Sequence, residues 1–185
     1  MTNEDSRFCV HSRAPEETLA AAQVLAPLLP KGGLVLNLTG DLGAGKTHFV
    51  KGLAAGLGLD ERIVTSPTFA LVNEYEGEGQ TRLVHMDFYR LESERALEEV
   101  GFLDLLALET VLAVEWGNRF PASLPKDRLD VYIERLVAPG PGAQDTPSED
   151  SDAAPREIHL AALGPVAGKV LEGFREALQA RGSAG

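Results

Sequence analysis

Apolar positions along the chain repeat with helical spacing in some segments and form short continuous runs in others. Residues 14–29 have helical spacing, which places Leu19, Ala22, Ala26 and Leu29 on one face. Ser12 or Pro15 marks the start of this predicted helix, and Pro30–Gly33 ends it. Leu34–Thr39 is then a short apolar run of the kind found in strands buried on both faces.

Helical and strand-like segments alternate through the rest of the chain. A second helix is predicted from Lys46, where Phe49, Val50, Leu53, Ala54 and Leu57 share a face. A third helical segment covers Glu94–Leu108, and a last one runs from about Pro165 to Ala180. Strand-like runs lie at residues 62–64, 69–75, 82–87, 110–115, 128–136 and 156–163.

This alternation predicts an α/β fold in which helices flank a largely parallel central sheet. The runs 128–136 and 156–163 have no helix between them, so we expect an antiparallel pair. Residues 138–155, rich in Pro, Gly, Ser and acids, are predicted to be a flexible acidic loop. We interpret residues 1–185 as one domain.

Composition narrows the function classes. A formal net charge of −11 disfavours a protein that binds nucleic acid non-specifically by itself. Cys9 is the only cysteine, so no internal disulfide is expected, and we interpret it as a buried small hydrophobe rather than a reactive thiol. No apolar run is long enough for a membrane span, and the first residues lack the pattern of a signal peptide. We therefore expect a cytoplasmic protein.

A phosphate-binding loop follows the first predicted strand. The stretch "GDLGAGKT" matches G-x-x-x-x-G-K-[ST], with Gly40 first and Lys46 and Thr47 last. Glycines let backbone N–H groups surround phosphate oxygens, Lys46 reaches the β- and γ-phosphates, and the Thr47 hydroxyl binds Mg²⁺. We expect the nucleotide to contact Gly40, Asp41, Leu42, Gly43, Ala44, Gly45, Lys46, Thr47 and His48.

Two acids follow apolar strands and are candidates for a metal and catalytic site. Asp87 ends one strand and Glu115 another, and the carboxyl ends of parallel strands are where α/β sheets bind ligands. Such an acid holds Mg²⁺ directly or through water, or orients the attacking water. A helix cap or a solvated strand end is the alternative for either acid alone, but two beside a phosphate loop favour function.

Two further segments are open to two interpretations each. In "VTSPTF", the hydroxyls of Thr65, Ser66 and Thr68 flank Pro67, so the segment is either a switch that senses the γ-phosphate or a plain turn. Trp116 follows Glu115 directly and is either a core residue or a ring near the nucleotide.

The remaining ionisable residues add little chemistry. His11, His48, His85 and His159 lack the spacing of metal ligands, so the sequence does not predict a zinc site. His85 is interpreted as a packed residue behind the site. Neither Arg90 nor Arg119 is identified as an arginine finger.

Four segments in this order resemble one family: "GDLGAGKTHFVKGLAAGLG", "VTSPTFALVNEYEG", "LVHMDFYRL" and "AVEWGNR". Together they are similar to the TsaE (YjeE) family, bacterial ATPases of tRNA threonylcarbamoyladenosine synthesis. The likeness extends from the first helix to the strand at "REIHL", and leaves out the termini and the acidic loop. "SPTF", "H-x-D-x-YR" and "EW" carry it, because many NTPases share the phosphate loop.

The resemblance implies a P-loop NTPase-like fold and Mg²⁺-dependent hydrolysis of ATP to ADP. It implies TsaB and TsaD as partners, with tRNA reached indirectly through their complex. Lys46 is then phosphate-binding and catalytic, Thr47 and Glu115 hold Mg²⁺, and Asp87 is a Walker-B-like acid that reaches the metal through water. Asp87 or Glu115 orients the attacking water, and Thr65, Ser66 and Trp116 lie in the switches.

Two departures and two rival functions remain. His48 stands where the family usually has Thr or Ser, and the 138–155 loop is longer than usual. One rival is a small-molecule P-loop kinase, which needs an acceptor pocket and usually an arginine-bearing lid. The other is a nucleotide-dependent binding module in which hydrolysis is incidental.

Overall fold

The computed structural model describes residues 6–77, 82–108, 110–136 and 154–182. The strands are β1 (Arg7–Ser12), β2 (Leu34–Thr39), β3 (Val72–Glu76), β4 (Arg82–Asp87), β5 (Val111–Glu115), β6 (Arg128–Arg135) and β7 (Arg156–Leu163). The helices are α1 (Pro15–Leu25), α2 (Lys46–Gly56), α3 (Glu94–Glu99), α4 (Phe102–Leu106) and α5 (Pro165–Gly182). Residues 138–153 of the predicted acidic loop lie outside the described residues.

One sheet contains all seven of these strands, in the order β1-β7-β6-β2-β5-β4-β3. β2 pairs in parallel with β5 and β6, and β4 pairs in parallel with β5. β7 runs antiparallel to β1 and β6, and β3 runs antiparallel to β4. Five strands therefore point the same way, and both the largely parallel sheet and the late antiparallel pair are confirmed.

Two hydrophobic clusters cover the two faces of the sheet. On one face α1, α2 and α5 pack against alternate residues of the strands, with Leu36 and Leu38 of β2 in this cluster. On the other face α3 and α4 pack against Val84 and Met86 of β4 and their neighbours. β2 lies between both clusters, which is why its sequence is a continuous apolar run rather than an alternating one.

The first strand was not predicted. In β1 the side chains alternate, with Phe8 and Val10 packed against the core and Cys9 exposed on the other face. The expectation that Cys9 is buried is therefore wrong, because the open face of this edge strand carries it. The alternation itself was the signal that could have identified the strand.

Two other predicted elements need correction. Residues 62–64 form no strand: Arg62 and Ile63 belong to a 3-10 turn, Glu61–Ile63, whose start is fixed by hydrogen bonds from the Arg62 backbone N–H and guanidinium to the Asp60 carboxylate. These bonds, the side-chain one foremost, lower the pKa of Asp60 to about 2. The strand predicted at 69–75 begins only at Val72, after a turn in which the Leu71 N–H donates to the Pro67 carbonyl.

The helix predicted at 94–108 is interrupted. Gly101 has a positive φ of 77° and separates α3 from α4. Ser93 begins α3 by accepting a hydrogen bond from the Ala96 N–H. None of the described helices combines the length and apolar content needed to span a bilayer.

Candidate nucleotide site

Three parallel strands end side by side at one edge of the sheet. The register pairs Leu38 of β2 with Glu115 of β5, and Glu115 with Asp87 of β4. Both acids are nearly buried, with 4% and 2% of their surface exposed. The glycine-rich loop leaves β2 at this same edge, so the loop and both acids converge where α/β sheets bind ligands.

The loop is folded tightly against β6 before it enters α2. Gly40 has φ 135°, and a Cβ there would lie 2.2 Å from the Ile133 carbonyl oxygen, so only glycine fits. The first bond of α2 runs from the Phe49 N–H to the Gly45 carbonyl. The amides of residues 46–48 therefore precede the first intrahelical donor and have no acceptor within the helix, so with the helix dipole they form a positive end that favours anions.

Lys46 holds a positive charge inside this edge. Its Nζ donates to the carbonyl oxygens of Gly40 and Asp41, at 2.9 Å each, and lies 4.3 Å from the centre of the Trp116 ring. Among the described residues no carboxylate lies within 4.0 Å of this nitrogen. Burial lowers the pKa of Lys46 from its ordinary 10.5, while the negative charges of Glu115, Asp87 and Asp41 oppose that shift.

Glu115 connects the loop to the sheet. Its Oε1 accepts a hydrogen bond from the Thr47 hydroxyl at 2.9 Å and lies 2.9 Å from Nε2 of the fully buried His85. Because an ionised carboxylate only accepts, His85 donates through Nε2. Its Nδ1 is buried without a hydrogen-bond partner in the described chain, so the contact with Glu115 is the one hydrogen bond that the ring makes there. His85 is thus a packed residue behind the site, as its place in the strand suggested.

Asp87 connects the Ser-Pro segment to the sheet. Its Oδ2 accepts from the Thr68 hydroxyl at 2.6 Å, and its Oδ1 accepts from the Tyr89 backbone N–H at 2.8 Å. Thr68 in turn lies 2.8 Å from the Ser66 hydroxyl. Thr65 bonds to β3 instead, since its N–H donates to the Tyr75 hydroxyl and its Oγ1 accepts from the Asn73 amide at 3.4 Å. The segment is therefore fastened to Asp87 through Thr68.

Trp116 forms part of the wall of the site and also packs against the edge of one hydrophobic cluster. It is half-buried in the left-handed conformation, with φ 60°, and its ring centre lies 5.3 Å from that of Tyr89. The cavity between these groups has a volume of about 190 Å³. It is lined by Leu42, Gly43, Gly45, Lys46, Thr47, His48, Ser66, Thr68, Asp87, Tyr89, Glu115 and Trp116.

Four of the residues expected to contact nucleotide do not line this cavity. Gly40 and Ala44 support the loop from behind, Asp41 offers its carbonyl to Lys46, and Thr65 bonds to the β3 side. Thr68 and Tyr89 line the cavity but were not among the expected binding residues. The signal for Thr68 was its position within the Ser-Pro segment.

Arg156 is a supporting residue for which the local sequence gave no signal. It is 1% exposed at the start of β7, and its Nε donates to the Ala44 carbonyl at 2.9 Å, under the loop. A Cβ on Gly45 would lie 3.1 Å from the same Nε. The side chain therefore fixes the far side of the loop from a strand distant in sequence.

The two arginines considered as fingers make other contacts. The Arg119 guanidinium donates to the Leu91 carbonyl at 2.9 Å, and that of Arg90 lies over the Phe69 ring at 4.1 Å. No arginine of the described residues lines the cavity.

Comparison with known proteins gives one consistent answer. A family described as "Threonylcarbamoyl adenosine biosynthesis protein TsaE" matches residues 12–138. The TsaE protein of Bacillus subtilis is 47% identical over 121 residues, which are 65% of this chain and 73% of the relative. That of Treponema pallidum is 42% identical over 132 residues, 71% of this chain and 93% of the relative.

A solved structure agrees with the fold. The crystal structure of YdiB from Bacillus subtilis superposes with a TM-score of 0.71 at 34% identity, and covers 92% of this chain and 95% of its own. The matched span contains the loop, both acids and Trp116. The chain therefore belongs to the TsaE family of threonylcarbamoyl adenosine biosynthesis proteins.

Proposed function

We propose that this protein binds ATP with Mg²⁺ and hydrolyses it to ADP and phosphate in support of tRNA threonylcarbamoyladenosine synthesis. The observation that carries the proposal is the buried ammonium of Lys46, held at the mouth of a glycine-rich loop beside two buried carboxylates. The pathway is that of the family and of the relatives' names.

Nucleotide binding would replace the neutral carbonyl partners of the Lys46 ammonium by charged phosphate oxygens. In the structure the ammonium donates to two neutral backbone carbonyls, and hydrogen bonds of a charged group contribute about 1.5–3 kcal/mol each. Phosphate oxygens are charged as well, so bonds to them add an ion-pair attraction that neutral carbonyls lack. The free amides of residues 46–48 add donors on the same side of the cavity. We expect Lys46 to leave Gly40 and Asp41 when phosphates enter.

The oxygen atoms around Thr47 fit Mg²⁺. Hydroxyl and carboxylate oxygens are the ligands this cation prefers, and Thr47 and Glu115 supply them at one edge of the sheet, with Asp87 on the adjacent strand. The Thr47 hydroxyl donates a hydrogen bond to Glu115, which leaves the lone pairs of the hydroxyl oxygen for the cation. When bound, Mg²⁺ would neutralise charge on the β- and γ-phosphates.

The two carboxylates have different partners, which suggests different roles. Glu115 is bonded to Thr47 and His85, so we assign it to holding the Thr47 hydroxyl and the metal. Asp87 is bonded to Thr68 of the Ser-Pro segment, so we assign it to orienting the water that attacks the γ-phosphate. Thr68 would then couple the segment to the state of the nucleotide.

Hydrolysis alone is expected to be weak, and TsaB and TsaD are the proposed partners. No arginine of the described residues lines the cavity, so no arginine finger is assigned within the described chain. Phe69 and Leu42 lie beside the cavity with 84% and 74% of their surface exposed, which gives a partner apolar contacts there. tRNA would be reached through this complex in the cytoplasm.

We expect the ATPase rate of the purified chain to rise when TsaB and TsaD are added. Phosphate release measured with and without the two proteins tests this. A rate that is equally fast without them would contradict the partner proposal while leaving hydrolysis itself intact.

Glu115→Gln and Asp87→Asn separate the two assigned roles. Each keeps the size of its side chain, so ATP affinity should stay within a few-fold of the parent, while the hydrolysis rate falls by about 10²–10³. Glu115→Gln should also raise the Mg²⁺ concentration needed for half-maximal rate, and Asp87→Asn should not. Phosphate release measured over a range of Mg²⁺ concentrations gives both values.

Leu103→Ala, an exposed position on α4, serves as the control and should leave both values unchanged. Unchanged hydrolysis in both amide variants would refute the catalytic assignment. If Glu115→Gln lost hydrolysis yet still supported tRNA modification, the binding-module alternative would be correct instead.

Proton uptake on binding is a second consequence of the buried lysine. The pKa of Lys46 lies below 10.5 in the free protein, and bound phosphates favour its charged form, so the pKa rises on binding. In the alkaline range between the two pKa values, ATP binding should therefore take up a proton, and affinity should fall as pH rises. Calorimetry in buffers of different ionisation enthalpy measures this uptake.

Lys46→Arg provides the comparison, because a guanidinium stays protonated throughout this range. Uptake should disappear in this variant even if affinity is reduced. Equal uptake in both proteins would show that another group takes the proton.

A further inference from the structure

A second cluster of metal-binding side chains lies on the β1–β7 edge of the sheet. The antiparallel register pairs Cys9 with His159 and His11 with Glu157. Side chains two residues apart on a strand point to the same face, so all four project from one face of this pair. That face is open, as Cys9 and His11 are exposed and the other two are half-buried.

The donor atoms are already close together. Glu157 lies between the two imidazoles, with 3.2 Å from its Oε2 to His159 Nε2 and 3.3 Å from its Oε1 to His11 Nδ1. One ligand atom each from Cys9, Glu157 and His159 lie within 4.8 Å of one another. Bonds of about 2.0–2.3 Å to a tetrahedral ion place ligand atoms roughly 3.3–3.8 Å apart. Small side-chain rotations therefore suffice for Cys9, Glu157 and His159, while His11, which lies outside this group of three but against Glu157, has to turn its ring towards them.

We propose that Cys9, His11, Glu157 and His159 form a binding site for a divalent transition metal, with Zn²⁺ as the best fit. A thiolate, two imidazoles and one carboxylate make up a four-ligand set of the types that Zn²⁺ binds in proteins. The soft sulfur and the nitrogens distinguish the set from the all-oxygen group at Thr47, Glu115 and Asp87. None of the four residues lines the nucleotide cavity.

The surroundings of the cluster allow an ion to enter and help to fix its ligands. Cys9 and His159 line an open cavity of about 460 Å³ together with Tyr132 and Asp130, so the site is reachable from solvent. The Tyr132 ring stacks on the His159 imidazole, with 6.0 Å between ring centres. This contact restricts the orientation of one of the ligands before any metal binds.

A reactive thiol is the poorer interpretation of Cys9. Partial burial, and then the negative charge of Glu157, raise the pKa of the thiol, which lowers the fraction of nucleophilic thiolate. A bound divalent cation reverses this effect by stabilising the thiolate directly. The same neighbours that suppress nucleophilic chemistry are therefore metal ligands.

A bound ion would fasten the N-terminal strand to the sheet. β1 lies at the edge and contacts the rest of the chain through β7, through α1 and through α5, where Phe8 packs edge-on against Phe174 at 6.1 Å. An ion that joins Cys9 and His11 to Glu157 and His159 binds only the folded chain. By linkage it raises the stability of the fold by an amount that grows with the logarithm of the free ion concentration above Kd.

The test is a titration of the metal-free chain with Co²⁺, in excess Mg²⁺ and without nucleotide. We expect one Co²⁺ per chain, a thiolate-to-cobalt charge-transfer band and the strong visible bands of a tetrahedral ion. Zn²⁺ should displace Co²⁺, and Zn²⁺ should raise the melting temperature. No binding, or binding without the charge-transfer band, would overturn the proposal.

Single variants assign the ligands. Cys9→Ser should abolish the charge-transfer band, and His159→Gln should weaken Zn²⁺ binding by at least about tenfold, because even hydrogen-bonding partners of metal ligands change affinity by about 10–100-fold. Arg7→Lys, on the same face of β1, keeps its charge and should behave like the parent. Full-strength binding in the Cys9→Ser, His159→Gln double variant would place the ion elsewhere and refute the site. Melting curves without metal confirm that each variant is folded.

Discussion

The buried positive charge of Lys46 is the constraint on which the site depends. A buried charge is costly unless it is compensated, and in this structure two carbonyls, the face of Trp116 and the field of nearby acids compensate it only in part. Gly40 brings the first carbonyl into reach because no side chain obstructs its approach to β6. The parallel register of β2, β5 and β4 sets the acids beside the same charge. The charge of Lys46 is therefore incompletely compensated in the free protein, and phosphate oxygens would stabilise it further.

Two hydrogen-bond networks spread from this edge into different segments. Glu115 joins the start of α2, through Thr47, to the buried ring of His85 on the neighbouring strand. Asp87 joins the Ser-Pro segment, through Thr68, to the end of β4. Since the two acids are adjacent in the register, a change at either segment acts on groups that share one cavity. The arrangement suits a protein whose loop and switch respond together to one ligand.

Local pattern was enough to predict part of this architecture. β2, β4 and β7 have the predicted bounds, because each is an apolar or alternating run between clear turn residues. The loop and both acids were found because motif chemistry is local and parallel strands bring their carboxyl ends together. The prediction of one continuous helix at 94–108 was wrong, because Gly101 takes a left-handed conformation that the spacing of apolar residues does not reveal.

Other features depend on contacts between separate segments, which local pattern does not specify. Arg156 reaches the loop from β7, and Thr68 reaches Asp87 across a turn. The cluster of Cys9, His11, Glu157 and His159 has two-residue spacing on two strands, and only their antiparallel register makes it a group of four. A search for helical metal-ligand spacing could not find it. Strand order and register, which the sequence does not state directly, determine these contacts.

The most direct test of the central claim uses Trp116, the only tryptophan in the chain. Its ring lies 4.3 Å from the Lys46 ammonium, so its fluorescence should report when that charge moves to phosphates. Titration with Mg²⁺ and ATP should give a saturable change in fluorescence, at the same concentrations at which calorimetry detects binding. Lys46→Ala should lose both signals. ATP binding detected by calorimetry with no change at Trp116, or binding unaffected in Lys46→Ala, would contradict the account.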